Sequence, residues 1–202
     1  MSGALAWVLV ALGLGVIGVR RRSLAVALLT AQALILAGVA LDEAVSGGDV
    51  AAALALGVRA LGLAALFGFL VTRTREPRPV RAATPPMLRA GMAVAFALAL
   101  TWLVPAMGLD SRTSERAALA LVAFGIATAA TRRATLFQVM AIVLVENGIA
   151  LAALELPNAS ALFELGVTLD LTLVVVVAAV FHERIFAEFG AGDSAALRSL
   201  RE

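Results

Sequence analysis

The sequence predicts an all-α integral membrane protein with seven transmembrane helices, and three observations lead there. Hydrophobic residues make up 62% of the 202 positions and charged ones 15%, whereas a soluble domain is roughly half apolar and a quarter charged. The apolar residues fall into runs close to the roughly 20 residues that a helical span needs, with no stretch left over for a soluble domain. The arginines crowd into alternate joints between those runs, as basic residues do in cytoplasmic loops.

Taken in chain order, spans are expected at about 4–19, 23–41, 50–72, 87–104, 117–131, 135–155 and 161–187. Gly47-Gly48, Pro85-Pro86, Pro105 and Pro157 punctuate the joints, where glycine and proline interrupt helical backbone. The first run lacks the basic start and small-residue cleavage site of a signal peptide and is expected to be a retained span. The fifth is the shortest, at about 15 residues, below the usual length for crossing a bilayer.

Arg20, Arg21 and Arg22 fall between spans one and two, Arg73, Arg75, Arg78, Arg81 and Arg89 between three and four, and Arg132 and Arg133 between five and six. The end of the chain adds Arg184, Arg198 and Arg201, while the opposite joints hold Arg112 and Arg116 against seven acids, among them Asp42, Glu43, Asp110 and Glu155. The expected topology therefore has an outside N-terminus, a cytoplasmic C-terminus and an odd number of spans. Residues 1–189 form the membrane domain in this reading. The tail 190–202 ends in the amphipathic SAALRSLRE, which Asp193 or Ser194 can cap and which suits a membrane surface or a cytoplasmic partner; a frayed end fits it equally well. A shift of 111 positions lays Arg21-Arg22 on Arg132-Arg133, Gln32 on Val143 and Arg59 on Asp170. That suggests two parallel three-helix repeats, 4–72 and 117–187, joined by helix four.

Composition also removes function classes. Cysteine is absent and histidine occurs once, at His182, so thiolate-held iron-sulfur, nickel-iron or zinc centres, haem and histidine metal clusters are not expected in this chain. Any redox chemistry belongs to partners. Every basic side chain is Arg, and the net charge of +2 is too small to suggest nucleic acid.

The chemistry concentrates between Gln138 and Asp170, where Glu146 and Asp170 stand in runs otherwise apolar enough for lipid. A carboxylate in hydrocarbon costs several kcal/mol or more unless paired or hydrated, so such groups are the first candidates for function. Glu146, near the middle of span six, is too deep to snorkel. Facing an arginine it could load and release a proton, or it could be a permanent interhelical lock. Asn147 follows it as an amide that can hydrogen-bond across helices, and Gly148 as a residue that lets a neighbouring helix come close. Gln138, about 80° round the same helix, is expected to share a polar face.

Asp170 lies about a third of the way into span seven and is expected to act as a second relay group, or as a helix cap if that span begins later. Arg59, at the centre of span three between Gly57 and Gly62, must have a hydrated cavity or a counter-ion, which Glu146, Asp170 or a carboxylate of an adjacent subunit would supply. Gln32, in span two, suits a plain interhelical hydrogen bond and cannot itself exchange a proton. His182 falls at the cytoplasmic end of span seven, where an interfacial anchor is the expected role and proton entry the alternative. Trp7 and Trp102 fit the aromatic belts at span ends.

The sixth and seventh spans, RRATLFQVMAIVLVENGIAL and LGVTLDLTLVVVVAAVF, resemble the HyfE family, the E-type membrane component of hydrogenase-4 and formate hydrogenlyase-type complexes. That family is similar in turn to the small K-type membrane protein of respiratory complex I and the C-type component of multisubunit cation/proton antiporters. The Arg-Arg pair, Gln138, Glu146-Asn147-Gly148 and the run ending at Asp170 carry the match, with TAQALIL of span two and Arg59 of span three. The resemblance implies a non-catalytic membrane-arm subunit in a bacterial or archaeal cytoplasmic membrane, set between a quinone- or ferredoxin-linked redox module and antiporter-like subunits. Cofactors, iron-sulfur and nickel-iron, would sit in those partner subunits and none in this chain. In the K-type pattern the first carboxylate stands four residues before the asparagine, a place held here by Val143, and Glu146 lies about 60° further round the helix.

The functional expectation is therefore a subunit of a redox-driven, proton-translocating complex, with Glu146 and Asp170 exchanging protons and Arg59 tuning them. A structural scaffold in the same kind of complex is the first rival, and a cation/proton antiporter component or self-sufficient ion transporter the second.

Overall fold

A backbone withdrawn from water must satisfy its own hydrogen bonds, and the helix does so within one segment. The computed structural model describes residues 2–46, 50–73, 84–156, 174–184 and 186–187, and its regular elements are helices. They are α1 (Gly3–Gly18), α2 (Arg22–Val45), α3 (Val50–Arg73), α4 (Pro86–Leu103), α5 (Arg112–Thr131) and α6 (Thr135–Leu154), followed by a helical stretch over 174–184, here α7. Among the described residues, four helices are long and apolar enough to cross a membrane: Arg22–Val45, Ala53–Thr72, Pro86–Leu103 and Thr135–Leu154. α1, at 16 residues, is shorter. The first part of the expected seventh span, with Asp170, and the tail 190–202 lie outside the described residues, and with them part of the second proposed repeat.

Proline and serine set two of the boundaries. Pro86 opens α4 in the first helical turn, where its missing N–H costs nothing. α5 begins at Arg112, earlier than the run of apolar residues suggests, because the Ser111 side chain accepts from the Thr113 and Ser114 N–H groups and caps the helix. Glu115, in that first turn, folds back to accept from the Met107 N–H at 3.2 Å and is buried. The charged turn is thus folded into the bundle rather than left in a loop.

α6 is the central helix: more than half of its circumference is buried, from Leu136 and Phe137 through Met140 and Leu144 to Leu151, while Gln138, Ile142, Val145 and Ile149 mark a less buried stripe. One core joins it to α2, α3 and α7 through Leu29, Leu63, Phe67, Val143 and Val175, and a second gathers α1, α4 and α5 through Leu9, Ile17, Ala93, Leu121 and Phe124. α5 and α6 meet at two glycines. A Cβ on Gly125 would stand 2.6 Å from the Ala141 carbonyl oxygen, and one on Gly148 2.8 Å from that of Ala118, so the two backbones approach to a distance that only glycine permits.

The two ends of the bundle differ in charge. At one end the Arg132 Nη2 donates to the carbonyls of Ile17, at 3.0 Å, and Val19, closing the last turn of α1, and Thr135 at the start of α6 bonds His182 of α7. At the other the Asp110 N–H donates to the Glu155 carbonyl at 3.2 Å, and Glu43 lies within electrostatic reach of Asp42, Asp110 and Glu155. Arg89 departs from its expected place as a loop charge: it sits in the first turns of α4 and is 1% exposed.

Candidate functional site

Three helices bring polar side chains to one level, and a fourth adds a backbone carbonyl. Arg59 of α3 donates from a single nitrogen, Nη2, to Glu146 Oε2 at 2.9 Å and to Asn147 Oδ1 at 3.0 Å. The Asn147 Nδ2 donates to Gln32 Oε1 on α2 at 2.7 Å, and the Gln32 Nε2 donates to the Leu9 carbonyl of α1 at 2.8 Å. The result is one continuous chain, carboxylate to guanidinium to amide to amide to backbone carbonyl. Arg59 is 6% exposed, Glu146 1%, and Asn147 and Gln32 fully buried, so every link forms where water does not compete.

Helical geometry explains why these residues meet. Glu146 lies about 17 Å from the start of α6 and about 12 Å from its end, at roughly 1.5 Å per residue. Arg59 and Gln32 stand at similar depth in α3 and α2. Glu146 and Asn147, adjacent in sequence, diverge by about 100°, which lets Arg59 bridge both while Asn147 turns its amide to α2. Gly148 completes the set on a third side by admitting α5. Gly13 of α1 makes the last link: a Cβ there would come within 3.4 Å of Gln32 Nε2 and 2.9 Å of Leu121 Cδ2, so its absence opens the Leu9 carbonyl to the glutamine.

In charge, the site is one cation against one anion. Nη2 spends both its hydrogens on the two acceptors. Glu146 Oε1 is buried and has no hydrogen-bond partner among the described residues. Of the network's members only the carboxylate can take up and release a proton, since guanidinium and amides hold theirs. The hydrogen-bonded chain fixes a charge pair in which Oε1 is the carboxylate oxygen left without a partner among the described residues.

Not every expected residue joins. Gln138 is exposed rather than on a shared polar face; eight residues separate it from Glu146, about 12 Å along the axis, and the rotation carries it off the buried surface. Gly57 and Gly62 do not serve close packing beside Arg59: a Cβ on either meets nothing within 4 Å. His182 is 1% exposed and bonded to Thr135 at the start of α6, away from the central chain. Asp170 lies outside the described residues. Sequence reasoning passed over Gly13 and the burial of Arg89 and Arg132; the signal for Gly13 is a small residue one turn after Leu9 in an apolar run. Among the described residues no group of three or more His, Asp or Glu side chains could hold a metal ion.

Among the described residues, fold and site together define an all-helical protein with four helices of membrane-crossing length and a charge-paired, amide-linked chain between its helices. Compared with protein families, curated proteins and solved structures, the chain matches none.

Proposed function

We propose that the chain is a non-catalytic, seven-helix membrane subunit of a redox-driven, proton-translocating complex of the complex I and hydrogenase-4 lineage, with Glu146 as a proton-exchanging group held by Arg59. The observation that carries this reading is the buried Arg59–Glu146 pair with Oε1 left open. A buried ion pair is no more stabilising than well-packed apolar residues of the same volume, and intramembrane ionisable groups mark ion pathways. A proton arriving at Oε1 neutralises the carboxylate and frees Arg59; return of the guanidinium expels the proton. Asp170 is the second exchanging group. Partners are the other membrane subunits and the redox module that holds the iron-sulfur and nickel-iron centres. The basic end faces the cytoplasm, which puts the N-terminus outside.

The test uses the whole complex in sealed membrane vesicles. Glu146→Gln is expected to abolish most redox-driven proton translocation while the complex keeps its migration on native gels. Unchanged translocation would remove Glu146 from the path.

A scaffold role is the second reading, supported by the tying of α1, α2, α3 and α6 into one hydrogen-bonded chain. It expects Glu146→Gln to disperse the complex on native gels instead. Ion uptake by the purified chain alone in liposomes would favour a self-sufficient transporter over both.

A further inference from the structure

At the basic end, the second core leads to an unused pair of guanidinium groups. Ala93 of α4 belongs to the same core as Ile17, Phe124 and Ala127, and Arg89 stands one turn before Ala93 on the same face, which carries it toward the ends of α1 and α5. Its side chain is 1% exposed, yet Nε, Nη1 and Nη2 all lack a hydrogen-bond partner among the described residues. Arg132, at the end of α5, uses Nη2 on the Ile17 and Val19 carbonyls and lays its guanidinium 4.0 Å over the Phe137 ring, while Nε and Nη1 have no hydrogen-bond partner among the described residues. Arg20, exposed at the end of α1, is within electrostatic reach of both. Glu183, the described carboxylate at this end, supplies none of these nitrogens with an acceptor.

Two buried cations and a third at the surface, with no acceptor among the described residues on five of the buried nitrogens, cost several kcal/mol per uncompensated charge. The strain registers on Arg132, whose guanidinium is pushed down to about 10 by its burial first and then by Arg89 and Arg20. A ligand that removes it must carry negative charge and several acceptor oxygens, because five nitrogen atoms from two planar groups await partners. Tetrahedral phosphate has that form, and guanidinium groups match it.

We propose that Arg89 and Arg132, with Arg20 at the mouth, bind a phosphate-type oxyanion at the basic end of α1, α4 and α5. Basic pockets between membrane helices hold the headgroups of anionic lipids, and a soluble phosphate ion presents the same oxygens.

The two sources are separable with the full-length purified chain. Its melting temperature is measured in nanodiscs of phosphatidylcholine alone, in nanodiscs containing phosphatidylglycerol, and in phosphatidylcholine with millimolar inorganic phosphate. Native mass spectrometry counts retained phosphatidylglycerol. Stabilisation by phosphatidylglycerol only identifies a lipid headgroup, and stabilisation by phosphate as well identifies a free-ion site. Either response is expected to weaken about tenfold or more in Arg89→Gln, the loss that removing charge-assisted hydrogen bonds brings, and partially in Arg20→Gln. Arg184→Gln, which removes an exposed charge at the same end, is expected to leave it unchanged. Arg89→Gln deletes an unpaired buried charge, so it is expected to fold, and the milder Arg20→Gln supplies the reading if it does not. No response to either probe, the result a carboxylate-bearing partner protein would give, overturns the proposal. So does equal weakening by Arg89→Gln and Arg184→Gln, which would mean diffuse surface charge.

Discussion

Replacing Arg59 by leucine removes the donor to two acceptors at once. Glu146 keeps its charge in a site 1% exposed, and an unpartnered buried ion of a former pair costs about 3–5 kcal/mol. Asn147 Oδ1 also loses its 3.0 Å donor, adding about 1–3 kcal/mol for an orphaned buried acceptor. Glu146→Leu creates the mirror situation, a buried guanidinium against one amide oxygen, again at about 3–5 kcal/mol. The double variant removes both charges and leaves only the Asn147 acceptor short, so it is expected within about 1–3 kcal/mol of the wild type. Graded sodium dodecyl sulfate unfolding in detergent micelles, followed by far-ultraviolet circular dichroism, measures all four proteins. The expected coupling is several kcal/mol, far above the roughly 0.5 kcal/mol within which independent sites add. If the double variant shows the sum of the single losses, Arg59 and Glu146 do not form a pair in the folded chain and the site described above is wrong.

Glycine substitutions are expected to split by position. Gly148→Ala drives a Cβ to 2.8 Å from the Ala118 carbonyl and should cost about 1–3 kcal/mol by overpacking, whereas Gly62→Ala meets nothing and should be neutral or stabilising by about 0.5–1 kcal/mol; the same unfolding titration reads both. Ser111→Ala removes the α5 cap and should lower stability by about 1 kcal/mol, with a helix content that falls only at the margin of circular dichroism. Arg132 gives a pH dependence whose sign is fixed by its folded value of about 10 lying below a guanidinium's ordinary one: the folded state disfavours the charged form, so stability is reduced below pH 10 and recovers as pH rises through about 10. The chain has no Lys, Tyr or Cys to obscure that window. Arg89→Gln, by removing the second-ranked cause, is expected to flatten the rise.

The helices were legible because apolar run length and the proline and glycine joints are both local properties. The start of α5 was not, since Arg112, Glu115 and Arg116 read as loop until Ser111 is seen to cap the turn and Glu115 to reach back to Met107. The four members of the central chain stood out for one physical reason, the cost of a polar group in an apolar helix. Which of them touch could not be read, because periodicity assigns a residue to a face of its own helix and says nothing of which helix lies opposite. Arg59 had Glu146 and Asp170 as candidates in this chain, and geometry pairs it with Glu146. Gln138 misled because angular nearness was weighed without the 12 Å or so of axial distance. Arg89 and Arg132 misled in the other direction: counting arginines for topology treats them as solvated, and these two are buried.

The composition of the central chain bears on how it works. Amides and a guanidinium pass hydrogen bonds but not protons, so Gln32, Asn147 and Arg59 cannot form a wire between α1 and Glu146. They can position Arg59. Its Nη2 is held by Asn147 as well as by Glu146, and Asn147 is held in turn by Gln32 and through it by the backbone of α1. A guanidinium that let go of Glu146 would keep the amide bond and its place, ready to return when the carboxylate regained its charge. Asn147→Leu separates this role from simple packing. It leaves the ion pair in place, so a pure lock should lose only the stability of the amide bonds. A relay should also translocate protons more slowly in the assembled complex, because Arg59 no longer has a resting partner during the neutral half of the cycle.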